Sequence, residues 1–180
     1  MSQQRLWAPW RMQYIQQLDG AADPTGTIDG SDCFLCDAAA AAPGTDLARQ
    51  RHVLVNDARG IILLNRYPYT NGHLLVASTN HLVNLTDLDA AQRQGLIDLV
   101  AVAEQILRIA INPQGFNAGM NLGRCAGAGL PGHLHMHVVP RWHGDTNYMQ
   151  TIGQVRVIPQ ALEESYQRLC EAVAKIGIDD

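Results

Sequence analysis

Short apolar runs of strand length punctuate the first half of the chain, and a helical period takes over in the second. His52–Asp57 (HVLVND) and Ile61–Asn65 (IILLN) read as two strands, and Asp57-Ala58-Arg59-Gly60 between them has the chemistry of a hairpin turn. Residues 66–72 (RYPYTNG) form a loop before a third strand, His73–Val76. From Leu88 to Ile111, the residues Leu96, Leu99, Val100, Ala103, Ile106 and Leu107 recur at helical spacing and predict one buried stripe. Thr86 or Asp87 is placed to cap that helix, and Pro113 and Gly115 end it. Phe116–Gly123 predicts a fourth strand and His133–Arg141 a fifth. Smaller elements complete the pattern: a short helix from Asp37 ending before Pro43, a short strand at 154–158, and a C-terminal helix from Pro159 to about Ile176. The expected architecture is α+β, an antiparallel sheet of about five strands carrying one long helix and a C-terminal helix. The 180 residues suit one domain: 1–32 an N-terminal latch and loop, 33–159 the core, 160–180 the last helix.

Composition narrows the function classes. A hydrophobic fraction of 47% is that of an ordinary globule, and no apolar run reaches the ~20 residues that span a membrane. The formal charge of −4, from 13 basic and 17 acidic residues, argues against a broad surface for extended nucleic acid. The opening MSQQRLWAPWRMQYI lacks the layout of a signal peptide, so a cytoplasmic location is expected. Four cysteines then read as thiols or metal ligands rather than disulfides. Leu6–Ile15, with two of the three tryptophans, reads as a hydrophobic latch or subunit contact.

The chemistry is concentrated in the fifth strand. In His133-Leu134-His135-Met136-His137-Val138-Val139-Pro140-Arg141 three histidines alternate with apolar residues, which places the imidazoles on one face and Leu134, Met136 and Val138 on the other. A small-residue run, GRCAGAGLPG at 123–132, precedes them and allows backbone N–H groups to approach anionic oxygens. A phosphate-handling site centred on a histidine is the favoured reading; a three-histidine metal site is the alternative. Cys33-Phe34-Leu35-Cys36 offers two thiolates to one metal, or is a pair of reduced thiols without one. Cys125 and Cys170 have no spaced partners.

His133–Val139 resembles the His-φ-His-φ-His-φ-φ signature of the histidine triad family, φ being apolar, and similarity extends from Leu6 to about Pro159. The N-terminal stretch is similar to a bacterial branch that resembles diadenosine tetraphosphate phosphorylases. The resemblance implies a nucleotidyl hydrolase or transferase acting on mono- and dinucleotides, with diadenosine tri- or tetraphosphate cleaved through a covalent nucleotidyl-histidine. A nucleoside phosphoramidate hydrolase and a zinc-stabilised nucleotide-binding module are the alternatives. It further implies His135 as nucleophile, its Nδ1–H donated to the His133 carbonyl, and His137 bonded to a phosphoryl or bridging oxygen, with His133 completing the catalytic set. Asn65, Asn121, Gly127, Gly132 and Arg141 are the implied substrate contacts, and apolar side chains near Asn65 flank the base. Zinc would be held by Cys33, Cys36, His81 and His133, and the chain would be a homodimer whose sheets join. His73 is expected to be structural and His52 an exposed strand end. One departure stands out. Ala126–Pro131 lacks the glutamine and the Ser or Thr that several members carry just before the triad, which shifts phosphate binding to backbone donors and to Arg124 or Arg141.

Overall fold

The computed structural model describes residues 33–145 and 160–177. The expectations for Leu6–Ile15, the loop 18–32, the strand 154–158 and Pro159 lie outside the described residues. Within them, five strands form one sheet: β1 Val53–Asp57, β2 Gly60–Leu64, β3 Leu74–Ala77, β4 Gly115–Gly119 and β5 His135–Arg141. Their order is β1-β2-β3-β5-β4, and every neighbouring pair is antiparallel. Four helices accompany them: α1 Phe34–Ala39, α2 Asp46–Arg51, α3 Ala90–Ile111 and α4 Leu162–Ile176.

The crossover from β3 to β4 through α3 leaves a gap one strand wide, and β5 fills it. The histidine-bearing strand is therefore paired along both edges. The register aligns Ile62 with Val76 and Val76 with Met136, and these residues pack with Leu134 and Val138 against α3 and α4. In the next row Leu63 aligns with Leu75 and Leu75 with His137, on the opposite face under α1 and α2. A period of two thus sorts one strand between an apolar core and a chemical face. Each fully buried Leu or Ile in the core contributes about 1.5–3 kcal/mol.

Three local predictions differ. Helix α3 is capped by Asp89, not by Thr86 or Asp87: Gln92 N–H donates to Asp89 Oδ1 at 2.8 Å, and Asp89 N–H donates to Gln92 Oε1 at 2.9 Å. This reciprocal pair satisfies two donors at once. Asp87 instead closes the 3₁₀ turn Leu85–Asp87 with Asn84. Helix α1 begins at Phe34 rather than Asp37, and α2, with Thr45 as its cap, was not expected. Finally, β4 ends at Gly119 and β5 starts at His135, so His133 lies just ahead of the strand. Among the described residues no helix is long and apolar enough to cross a membrane.

Candidate active site and metal cluster

His135 stands opposite Ala77, and His137 opposite Leu75. Their rings meet edge to face with centroids 5.1 Å apart. His135 Nδ1 lies 2.8 Å from the His133 carbonyl, which only accepts, so Nδ1 carries the proton and Nε2 keeps its lone pair. His137 is fixed from the other side. Tyr69 N–H donates to His73 Nδ1 at 3.1 Å, and Asn65 Nδ2 lies 3.2 Å from the same nitrogen. His73 Nε2–H therefore donates to His137 Nδ1 at 3.0 Å, which leaves the proton of His137 on Nε2. The two rings are left in complementary states, one presenting a lone pair and the other an N–H. Burial lowers the pKa of both below the ordinary histidine value, and for His137 the neighbouring His135 adds to the effect. Tyr69 packs on His137 and His73, its ring stacked with His137 at 5.7 Å and tilted on His73 at 4.5 Å. His73 is fully buried and structural, as its place at a strand end suggested, but it also orients His137. Sequence pattern alone gave no sign of that contact, which joins residues 64 positions apart.

His133 has neither ring nitrogen available for a substrate. Its Nε2–H donates to the Ser78 carbonyl at 3.0 Å, and its Nδ1 is 3.3 Å from Cys33 Sγ and 3.5 Å from Cys36 Sγ. His81 Nδ1 lies 3.2 Å from Cys36 Sγ. The ligand atoms of Cys33, Cys36, His81 and His133 all lie within 4.8 Å of one another. Zinc bonds of roughly 2.3 Å to sulfur and 2.0–2.1 Å to nitrogen give a tetrahedral S···N edge of about 3.5 Å, so the spacing fits that ion. Burial and the adjoining Cys33 push the Cys36 thiol up to about 11, so a cation bound there would favour its thiolate. The donor bond from His133 to Ser78 fixes the tautomer a metal needs at Nδ1.

The implied substrate contacts are distributed unevenly. Asn65 forms one wall of a cavity of about 190 Å³ with Phe34, Leu63, Leu75, Arg66 and Tyr67, and Leu75 is the cross-strand partner of His137. Its own amide is engaged by the loop, since Oδ1 accepts from Tyr67 N–H at 3.0 Å. Phe34 is a lining residue that sequence reasoning missed, because it lies within the C-x-x-C motif and its approach to β2 is tertiary. Asn121 Nδ2 donates to the Gly127 carbonyl at 3.4 Å. The N–H groups of Ala126, Gly127 and Ala128 turn inward to the carbonyls of Gly123 and Arg124, so Gly127 does not point its N–H at a phosphate in this conformation. Gly132 is buried beside His133. Arg141, at the far end of β5, is held by Asp145 through two bonds of 2.5 and 2.8 Å and by Asn117 at 2.7 Å. A guanidinium so occupied is an anchor for the strand end rather than a free phosphate clamp. A separate cleft of about 930 Å³ opens at the β1 edge between α2 and α4, away from the triad.

The HIT domain family model matches residues 48–144. The chain is 36% identical to the AP-4-A phosphorylase of Mycobacterium tuberculosis over 187 aligned positions, which cover 96% of this chain and 85% of the relative. It is similar to the crystal structure of a zinc-bound histidine triad family protein from Mycobacterium smegmatis, with TM-score 0.63 and 28% identity, covering 81% of this chain and 95% of that one. A hypothetical histidine triad nucleotide-binding protein from Sulfolobus tokodaii, 23% identical with TM-score 0.60 over 79% of this chain and 90% of that one, shares the fold. A strand that presents His135 and His137 side by side, in a sheet of this order and with this relative along nearly its whole length, places the chain in the HIT family.

Proposed function

We propose that the chain cleaves dinucleoside polyphosphates, diadenosine tetraphosphate among them, through a covalent nucleotidyl-His135 intermediate. The observation that carries this reading is the opposed state of the two rings: a lone pair on His135 Nε2 beside an N–H on His137 Nε2. The AP-4-A phosphorylase relative supplies the substrate class. In the first step the His135 lone pair bonds to the α-phosphorus, and the bond from that phosphorus to the bridging oxygen breaks. The departing nucleoside polyphosphate takes the electron pair, and His137 Nε2–H supplies the hydrogen bond or proton it needs. In the second step phosphate or water attacks the phosphorus, the attacking group losing its proton to His137 where that ring gave one up and to solvent otherwise, and the N–P electrons return to His135. The nucleoside stacks in the cavity walled by Phe34, Leu63 and Leu75. The side-chain clamp missing from Ala126–Pro131 is replaced in part by Tyr69, whose ring packs on His137.

The same reading assigns zinc to Cys33, Cys36, His81 and His133, on the fit of their spacing. It also takes the chain to be a homodimer: β4 is an edge strand with Asn117, Ala118 and Gly119 exposed, which suits pairing with a second copy.

Incubation with diadenosine tetraphosphate tests the activity. ATP and ADP should appear with inorganic phosphate, or ATP and AMP without it, and His135→Ala should abolish both the adduct and the turnover. Unchanged turnover in that variant would end the proposal.

A further inference from the structure

His133 belongs to two sites at once. Its ring enters the cysteine–histidine cluster, while its carbonyl accepts the Nδ1–H of His135. The peptide group that carries this carbonyl is held a second time. Its N–H belongs to Leu134 and donates to the Leu82 carbonyl at 2.6 Å, and Leu82 follows the cluster residue His81. A third tie runs from the His133 ring to the Ser78 carbonyl. Residues 78–82 contain neither helix nor strand, so no repeating backbone ladder fixes the segment that receives these bonds. The cluster joins it directly to α1 through Cys36 and His81.

We infer that the Cys33/Cys36/His81/His133 cluster, when it holds its metal, is a positioning device for the nucleophile as well as a tether. Metal bonds to His81 and His133 clamp both ends of the frame in which the 133–134 peptide sits. That peptide then holds the proton of His135 on Nδ1 and aims Nε2 at the substrate. Without the metal, the cluster side chains at 3.2–3.5 Å keep only weak contacts, and the carbonyl is held by the Leu134 and Ser78 bonds alone. Once its acceptor moves, His135 also populates the tautomer with the proton on Nε2, which has no lone pair to offer phosphorus. His133 is on this account a positioning residue. The inference rests on the proposed role of His135, and it differs from a purely structural metal, which would change stability but leave His135 untouched.

The test compares zinc-loaded and chelator-stripped protein, both checked for fold by near-UV circular dichroism. Long-range proton–nitrogen NMR of the imidazoles should show His135 purely as the Nδ1–H tautomer with zinc and as a mixture without it. Rapid-quench formation of the adenylyl-histidine should slow by roughly 10- to 100-fold on stripping, the range typical for loss of an orienting partner. Should the stripped chain unfold, the comparison moves to His81→Ala, expected to lose adduct rate in step with its zinc content, and His81→Cys, expected to recover both. A folded, metal-depleted protein with an unaltered His135 tautomer and adduct rate overturns the inference. Failure of the zinc-loaded wild type to form any adduct overturns the proposed reaction instead.

Discussion

His73 makes no contact with a reacting atom in the proposed mechanism, yet both of its ring nitrogens are committed. Two donors converge on Nδ1, so the proton must sit on Nε2 and the lone pair of His137 Nδ1 must receive it. Replacing His73 by Ala removes that constraint and lets His137 turn its lone pair toward the leaving group, which then gains no proton donor. The expected result is a kcat lower by roughly 10- to 100-fold, below the ~10²–10⁴ that a positioned acid provides in total. KM should move little, because the nucleoside cavity does not include His73. A KM that rises while kcat holds would show that His73 shapes the pocket rather than the proton. Individual roles of this kind are only partly legible in sequence. His135 and its carbonyl partner are two residues apart, so local reasoning reaches them. The pairing of His73 with His137, and of Arg141 with Asp145 and Asn117, depends on where strands and loops meet. The neighbours of Arg141, Asp145 and Asn117, are likewise invisible in the sequence pattern around it.

Elements were easier to read, since each carries its own period. The five described strands, the Asp57–Gly60 hairpin and the long helix all announce themselves through spacing. What local pattern misjudged was competition between equals: Thr86, Asp87 and Asp89 are all good caps, and Asp89 wins because Gln92 stands three residues on. Asp89→Ala should therefore cost about 0.5–2 kcal/mol in urea unfolding, while Thr86→Ala should leave the midpoint in place. Helix α2 escaped notice because its one buried residue, Ala48, makes no stripe. The apolar alternation includes His133 with the strand, whereas the ladder begins at His135 and the His133 ring is drawn into the cluster. The hairpin depends on Gly60, whose φ is +143° and whose missing Cβ would fall 2.4 Å from the Ala77 carbonyl oxygen. That atom is backbone in β3 and cannot step aside without disturbing the ladder. Gly60→Ala should destabilise the chain by about 1–3 kcal/mol, seen as a lower denaturation midpoint with an unchanged slope.

Across the whole molecule the sheet separates two unlike layers. One face is covered by α3 and α4 over an extended aliphatic core; the other carries the histidines under two six-residue helices and a smaller core. Among the described residues the chemical face has less apolar burial to hold it, and a metal bound to the cluster would make good the difference. Cys36, His81 and His133 come from three distant regions, since Cys36 is 45 positions from His81 and 97 from His133. An ion that binds them together binds only the folded chain. With free zinc at a hundred times its dissociation constant, linkage gives about 2.7 kcal/mol of stabilisation. At roughly 2–4 °C per kcal/mol for a chain of this size, stripping the metal should lower Tm by about 5–10 °C. Cys33→Ser should lose most of that zinc-dependent increment, because three ligands hold the ion less firmly than four. A melting curve that does not move when elemental analysis shows the zinc has gone would mean that packing under α1 and α2 holds this face without help from the ion.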